Sequence, residues 1–265
     1  MMRVTILGSG TSMGVPTLTC KCPVCLSTDP RDQRLRSGLW IQANGQSLLI
    51  DVSIDFRQQA LANDIQDVDA VLLTHTHSDH ISGLDDLRVY NLFHKKKIRM
   101  YAQPTDLDDL RRRFDYCFNP IRIGGGVPDL ELHPIHGPFQ TCGLAIVPVP
   151  IKHGVLDILG YRIGQLGVLT DASYISEASL QLLAGVDVLI INALRPKPHA
   201  THFSLAQALA VSQRIGPRQT YFVHMSHHLG HGQTNRELPP GAELAYDGLT
   251  FEVSDGALGA HHPRE

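Results

Sequence analysis

Seven consecutive residues constrain this 265-residue chain more than any other feature: Thr74-His75-Thr76-His77-Ser78-Asp79-His80 follows directly on the apolar run Ala70-Val71-Leu72-Leu73. Imidazoles on alternate residues at a strand end reach one divalent cation, while Asp79 and His80 reach round to a second. The fold must therefore bring further ligands to the end of that strand.

Three more apolar runs end in a metal-binding side chain: Pro150-Ile151-Lys152-His153, Leu169-Thr170-Asp171 and Phe222-Val223-His224. If these ends converge at one sheet edge, two cations ~3.5 to 4 Å apart can be clamped, with Asp171 as the bridging carboxylate. His75, His77 and His153 are then assigned to one ion and Asp79, His80 and His224 to the other. Each ion keeps an open position, as catalytic sites do. Taken singly, His153 or His224 reads as an ordinary core or loop histidine; the combination favours the ligand reading. Asp51, ending Leu48-Leu49-Ile50, has two readings: an acceptor that orients a ligating imidazole, or a cap near the Phe56 helix, for which Asp55 is better placed.

With 23 basic and 26 acidic residues the net charge is -3. A chain without a general positive field disfavours long nucleic acids and favours a small, locally recognised substrate. No stretch approaches ~18 consecutive apolar residues and the first residues lack signal-peptide character, so no membrane partner and a cytoplasmic location are expected. Cys20, Cys22 and Cys25 crowd into six positions while Cys117 and Cys142 stand apart. Clustered thiols in such a compartment point to metal, the alternative being reduced, buried cysteines. Among the 15 histidines, His261 and His262 read as solvated.

Short aliphatic and β-branched runs predict strands at 4–7, 39–41, 47–50, 70–73, 98–101, 144–149, 160–163, 168–169, 186–191, 221–223 and 249–253. Helices are predicted over 56–62, 83–93, 105–114, 176–183 and 205–215, the last opened by a Ser204/Gln207 capping box, with Gly185 as a stop after the fourth. Strands in two groups, each with helices, suit two sheets packed face to face under outer helices. One domain over 1–255 and a loose tail over 256–265 are expected.

The His-x-His-x-Asp-His motif followed by His153, Asp171 and His224 resembles the metallo-β-lactamase superfamily of binuclear hydrolases. That resemblance runs from about Met2 to Val253 and implies an α/β fold, a four-layer αββα sandwich. A finer likeness lies in Gly8-Ser9-Gly10-Thr11-Ser12-Met13-Gly14-Val15-Pro16, Cys20-x-Cys22-x-x-Cys25 and His224-Met225-Ser226-His227. These look like the phosphoribosyl 1,2-cyclic-phosphate phosphodiesterases of the carbon-phosphorus lyase pathway. The likeness implies a structural zinc on Cys20, Cys22, Cys25 and His227, and a catalytic His202 that protonates or binds phosphate beside the metals. It also implies a homodimer. Glycines 8, 10 and 14 suggest a phosphate loop but lack the Lys-Ser/Thr ending of one. Ser53 replaces a frequent glycine, and His94-Lys95-Lys96-Lys97 reads as a solvated helix end.

The expected function is hydrolysis of a small cyclic phosphodiester by two divalent ions, zinc or manganese, with Asp79 and His202 as catalytic residues. Arg195 and Lys197 are either further phosphate contacts or, the favoured reading, surface charges. The alternatives are transfer-RNA 3′ processing, for which no inserted basic arm is visible, thioester or β-lactam hydrolysis, and a non-enzymatic metal-binding protein.

Overall fold

Period-two alternation along the strands sorts the apolar residues into layers. The computed structural model describes residues 1–119 and 126–256. One sheet contains β1 (Met2–Gly8), β2 (Gly38–Ala43), β3 (Gln46–Ile50), β4 (Ala70–Leu72), β5 (Ile98–Ala102) and β6 (Leu130–Pro134), with β15 (Thr250–Val253) beside β1. The other contains β7 (Phe139–Thr141), β8 (Leu144–His153), β9 (Leu156–Ile163), β10 (Leu166–Leu169), β11 (Tyr174–Ile175), β12 (Val188–Asn192), β13 (Gln219–Val223) and β14 (Ala242–Leu244).

Leu48 and Ile50 of β3 meet Ile146, Tyr161, Val168 and Ile190 of the facing sheet in a shared inner core. Leu49, between them in sequence, points the other way and packs with Trp40, Val71, Phe56 and Leu107. Correspondingly, Leu189 and Ile191 of β12 turn outward onto Leu180, Ala208 and Val211. The outer layers are α1 (Phe56–Ala62), α2 (Ser78–Ile81), α3 (Arg88–His94), α4 (Pro104–Arg113) and α5 (Asp115–Phe118) in the first half, and α6 (Glu177–Leu182), α7 (Leu205–Ile215) and α8 (His231–Glu237) in the second. This is the expected αββα sandwich. No described helix is long and apolar enough to cross a membrane.

The capping box at Ser204 and Gln207 forms, and Gly216 ends α7 in the left-handed region. One expected helix divides. Leu84 and Leu87, three apart, are buried in a 3-10 turn, whereas Val89, Leu92 and Phe93 on the following α3 are exposed. The apolar positions of 83–93 therefore serve two faces, and no single helix satisfies both. The basic cluster after α3 is not wholly solvated either: Lys96 Nζ lies 2.6 Å from both Asp67 and Asp69, pinning α3 to the entry of β4. Apart from Gly256, the expected tail, with His261 and His262, lies outside the described residues.

β3, β4 and β5 are mutually parallel, as are β10, β12 and β13, so each set of carboxyl ends collects on one edge. β8 joins the second set because both it and β10 run antiparallel to β9. Three residues just past these ends, Asp51, Asp171 and His224, hold φ values of 61°, 59° and 54°. Non-glycine residues seldom adopt that conformation, and three at one edge mark a place where side-chain direction outweighs backbone comfort.

Candidate metal centre

The strand ends converge. One ligand atom each from His75, His77 and His153 fall within 4.8 Å of one another, as do those from Asp79, His80, Asp171 and His224, and those from His153, Asp171 and His202. Asp171 is the hub. Its Oδ2 lies 3.1 Å from His80 Nε2 and 3.7 Å from both His75 Nε2 and His202 Nε2, and its Oδ1 lies 2.9 Å from His224 Nδ1. Asp79 Oδ2 is 3.3 Å from His80 Nε2, and His75 Nε2 is 3.0 Å from His77 Nδ1. All seven ligand positions expected from the sequence, with His202, thus meet in one cleft.

Outer contacts decide which nitrogens face inward. His153 Nδ1 sits 2.7 Å from the carbonyl of Thr201. A carbonyl only accepts, so Nδ1 carries the proton and Nε2 presents a lone pair. Asp51 does similar work for two rings. Its carboxylate accepts the Thr74 N–H and hydroxyl, each at 2.8 Å, and faces His80 Nδ1 at 2.7 Å. The Thr74 oxygen is then free to accept from His75 Nδ1, 3.0 Å away. His75 and His80 are both left with Nε2 toward Asp171. Of the two sequence readings of Asp51, the imidazole-orienting acceptor is the one observed. Asp55 occupies the N-cap position of α1 without a side-chain cap bond; its carboxylate instead grips the Arg36 N–H at 2.9 Å and guanidinium at 3.0 Å.

The electrostatics suit a cation. Burial works against charge on His80, but Asp171 and Asp51 outweigh it and hold the ring well above the ordinary imidazole range. Burial likewise opposes ionisation of Asp171, which His224 and His80 reverse, and Asp79 is lowered against its burial by His80. Burial, reinforced by the neighbouring His80, pushes His75 well down despite Asp171, leaving it neutral. Inward-facing imidazole nitrogens around buried carboxylates are the donor set a divalent ion takes, and its binding would release the proton that His80 otherwise holds. His202 Nε2 is buried without a hydrogen-bond partner, an orphan aimed at the same hub.

A second cluster lies nearby on the loops. Cys20, Cys22 and Cys25 place their sulfurs 3.1, 3.7 and 3.4 Å from His227 Nδ1. Backbone N–H groups of Thr17 and Cys25 point at the sulfurs of Cys25 and Cys22. The Cys25 N–H lowers the Cys22 thiol, while burial pushes Cys25 up to about 11. Three sulfurs around one imidazole nitrogen match a closed tetrahedral zinc set.

Sequence reasoning missed what joins the two clusters. Arg34, fully buried, donates to the carbonyls of Ser226 at 3.1 Å and Leu229 at 2.6 Å and pairs with Asp32 at 3.1 Å. Asp32 in turn accepts the His231 N–H. Asp247 fastens Ser9 and Leu35 by their backbone N–H groups. A lone arginine in a polar loop carries no sequence signal of burial. The glycines at 8 and 10 also find their reason here: a Cβ at Gly8 would stand 1.9 Å from the Arg36 carbonyl, and one at Gly10 would stand 2.9 Å from Arg34. Close passage of the 34–36 segment requires them, rather than a phosphate cradle.

Residues 46–225, more than half of the chain, match the family model described as a β-lactamase superfamily domain. A crystal structure of a diphosphatase from the PhnP family superposes with a TM-score of 0.90 at 41% identity, covering 96% of this chain and 98% of that one. Zinc-bound PqqB from Methylobacterium extorquens shares the fold, with a TM-score of 0.77 at 20% identity over 95% of this chain and 100% of that one. An octanoyltransferase of Porphyromonas gingivalis is 43% identical over 97% of this chain, but the chain spans only 53% of that protein's length. Motif, fold and family model agree: this chain belongs to the metallo-β-lactamase superfamily.

Proposed function

We propose that the chain is a metal-dependent hydrolase of phosphodiesters, acting on a small cyclic phosphate such as phosphoribosyl 1,2-cyclic phosphate. The observation that carries this is the seven-residue cluster around Asp171 with the unpartnered His202 Nε2 facing it at 3.7 Å. The diphosphatase named among the similar structures supports chemistry at phosphorus. The transferase name belongs to a protein about twice as long and is not carried over.

His75, His77 and His153 would hold one divalent ion, Asp79, His80 and His224 another, and Asp171 would stand between them. When bound, such a pair supplies Lewis acidity toward phosphoryl oxygens and lowers the pKa of water. Asp51 keeps the Nε2 atoms of His75 and His80 inward, and the Thr201 carbonyl does so for His153. Burial holds His202 below its ordinary pKa, and Thr201 Oγ stands 2.9 Å from its Nδ1. With that hydroxyl donating to Nδ1, the neutral ring carries its proton on Nε2 and donates it to a phosphoryl oxygen or toward the departing alkoxide. Cys20, Cys22, Cys25 and His227 would hold a separate structural zinc.

The test is turnover of phosphoribosyl 1,2-cyclic phosphate, bis-p-nitrophenyl phosphate and 2′,3′-cyclic nucleotides by protein loaded with zinc or manganese, with metal analysis of the same sample. The proposal expects the small cyclic phosphate to be cleaved with the highest kcat/KM. Metal-replete protein inert toward all three, or faster on precursor transfer RNA, overturns it.

A further inference from the structure

Three of the inward-facing rings have a partner outside the ligand set that fixes their proton: Thr74 for His75, Asp51 for His80 and the Thr201 carbonyl for His153. His224 is the fourth, and its Nδ1 lies 2.9 Å from Asp171 Oδ1 and 3.0 Å from Ser37 Oγ. Ser37 gives its one hydroxyl proton to the Gly10 carbonyl, 3.3 Å away, so toward His224 its oxygen accepts. Two acceptors at one nitrogen place the ring proton on Nδ1. The lone pair is then on Nε2, which faces the Thr11 hydroxyl at 3.2 Å.

Asp171 divides its two oxygens in the same way. Oδ1 accepts the Thr170 hydroxyl at 2.8 Å as well as the His224 N–H, whereas Oδ2 faces the Nε2 atoms of His75, His80 and His202. An oxygen that already takes two hydrogen bonds is the outer one, and Oδ2 is left for the shared cation position. Ser37 and Thr170 are both buried, one at the entry to β2 and the other just past β10, in facing sheets. Beneath them lies a void of about 10 Å³ that Asp51 also lines. One water needs roughly 10 to 15 Å³, so the hydroxyls rather than ordered water supply these bonds.

We propose that Ser37 and Thr170 are positioning residues for the metal centre: Ser37 sets which nitrogen of His224 turns inward, and Thr170 sets which oxygen of Asp171 does. The inference deepens the metal assignment of the proposed function, on which it rests, and is independent of the substrate. The two hydroxyls differ in reach. His224 belongs to one cation position, so loss of the Ser37 hydroxyl weakens one ion; Asp171 stands between both, so loss of the Thr170 hydroxyl weakens the pair.

Calorimetric titration with manganese, an ion that the sulfur set does not favour, reads this without turnover. The wild type takes up two manganese ions per chain at the Asp171 cluster. Ser37→Ala lowers the affinity for one of them by about 10-fold or more and leaves the other within about twofold. Thr170→Val, which keeps the shape and removes the hydroxyl, lowers both by about 10-fold or more, and Thr170→Ser restores them. Ser37→Ala that moves both ions or neither, or Thr170→Val that moves one or neither, overturns the assignment of that residue. A second measurement needs no variant and so holds even where one fails to fold: long-range proton–nitrogen NMR of the zinc-loaded wild type. His224 carries its proton on Nδ1 and shows a metal-bound Nε2; a proton on Nε2 overturns the role of Ser37. Failure of the underlying metal reading is seen separately, as wild-type protein that takes up fewer than two manganese ions.

Discussion

The two ligand clusters differ in what builds them. The Asp171 cluster is assembled from strand ends far apart in sequence, is deeply buried, mixes imidazole with carboxylate, and accepts left-handed backbone at Asp171 and His224 to aim its side chains. The Cys20, Cys22, Cys25 and His227 cluster draws three ligands from six consecutive residues on a loop, is only partly buried, and contains no carboxylate. Hard and soft donors on two rigid sheets leave room for a substrate; three sulfurs and a nitrogen close a tetrahedron and leave none. One cluster is suited to chemistry and the other to holding a loop in place. They share the four-residue segment from His224 to His227, which Arg34 fastens through the Ser226 carbonyl, while Asp247 ties Ser9 to Leu35 beside it.

The sharpest way to break this division is at the hub. Asp171→Ala should cut kcat by about 10³-fold or more while circular dichroism and melting temperature show a folded protein, because it removes the carboxylate common to both cation positions. Near-normal turnover at saturating metal would contradict the assignment. His202→Ala should cost about 10²-fold. A loss much larger for an alkyl leaving group than for p-nitrophenol marks proton donation to the leaving oxygen, and an equal loss marks hydrogen bonding to phosphoryl oxygen.

Asp51→Asn weakens the orientation of His75 and His80 without touching a ligand. Metal affinity at the Asp171 cluster should fall about 10- to 100-fold, measured by chelator competition, with the sulfur cluster unaffected. Loss of metal from both clusters alike would break the proposed separation. Cys22→Ser should act in the opposite sense, lowering the melting temperature by about 5 °C or more and removing one zinc per chain while folded protein keeps most of its turnover. Unchanged melting and zinc content would remove the structural role.

The smallest effect concerns Asp247. Burial pushes its carboxyl up to about 6, against the hydrogen bonds from Leu35 and Ser9. Its folded pKa therefore lies above the unfolded value of about 3.9, so the folded state binds the extra proton and this contribution to stability declines as pH rises from about 4 through 6. Asp247→Asn should remove that decline: the difference in urea midpoint between variant and wild type should change across this interval and be flat above pH 7. A constant difference from pH 4 to 7 would contradict the raised pKa.

The Asp171 cluster was largely legible because its grammar is local. Each ligand ends an apolar run, and parallel strands deliver such ends to one edge, so His75, His153, Asp171 and His224 were readable before any coordinates. Strands β6, β7, β11 and β14 were not, being short, polar or interrupted by proline, and α8, His-Gly-Gln-Thr-Asn-Arg-Glu, has no apolar stripe to announce it. Arg34, Asp32 and Thr201 escaped for a different reason. Their roles come from carbonyls and N–H groups supplied by distant loops, and hydrogen bonds of that kind leave no periodicity. Arg195 was visible as a charge, but its bonds to the carbonyls of Lys197 and Pro198 follow from the path of its own loop, which the sequence does not announce.

The most direct test of the central claim is anomalous diffraction from crystals grown with zinc. Two peaks within coordination distance of the Asp171 carboxylate, one reached by His75, His77 and His153 and the other by Asp79, His80 and His224, are predicted, with a third among Cys20, Cys22, Cys25 and His227. No peak beside Asp171, in protein whose third site is filled, would contradict the account.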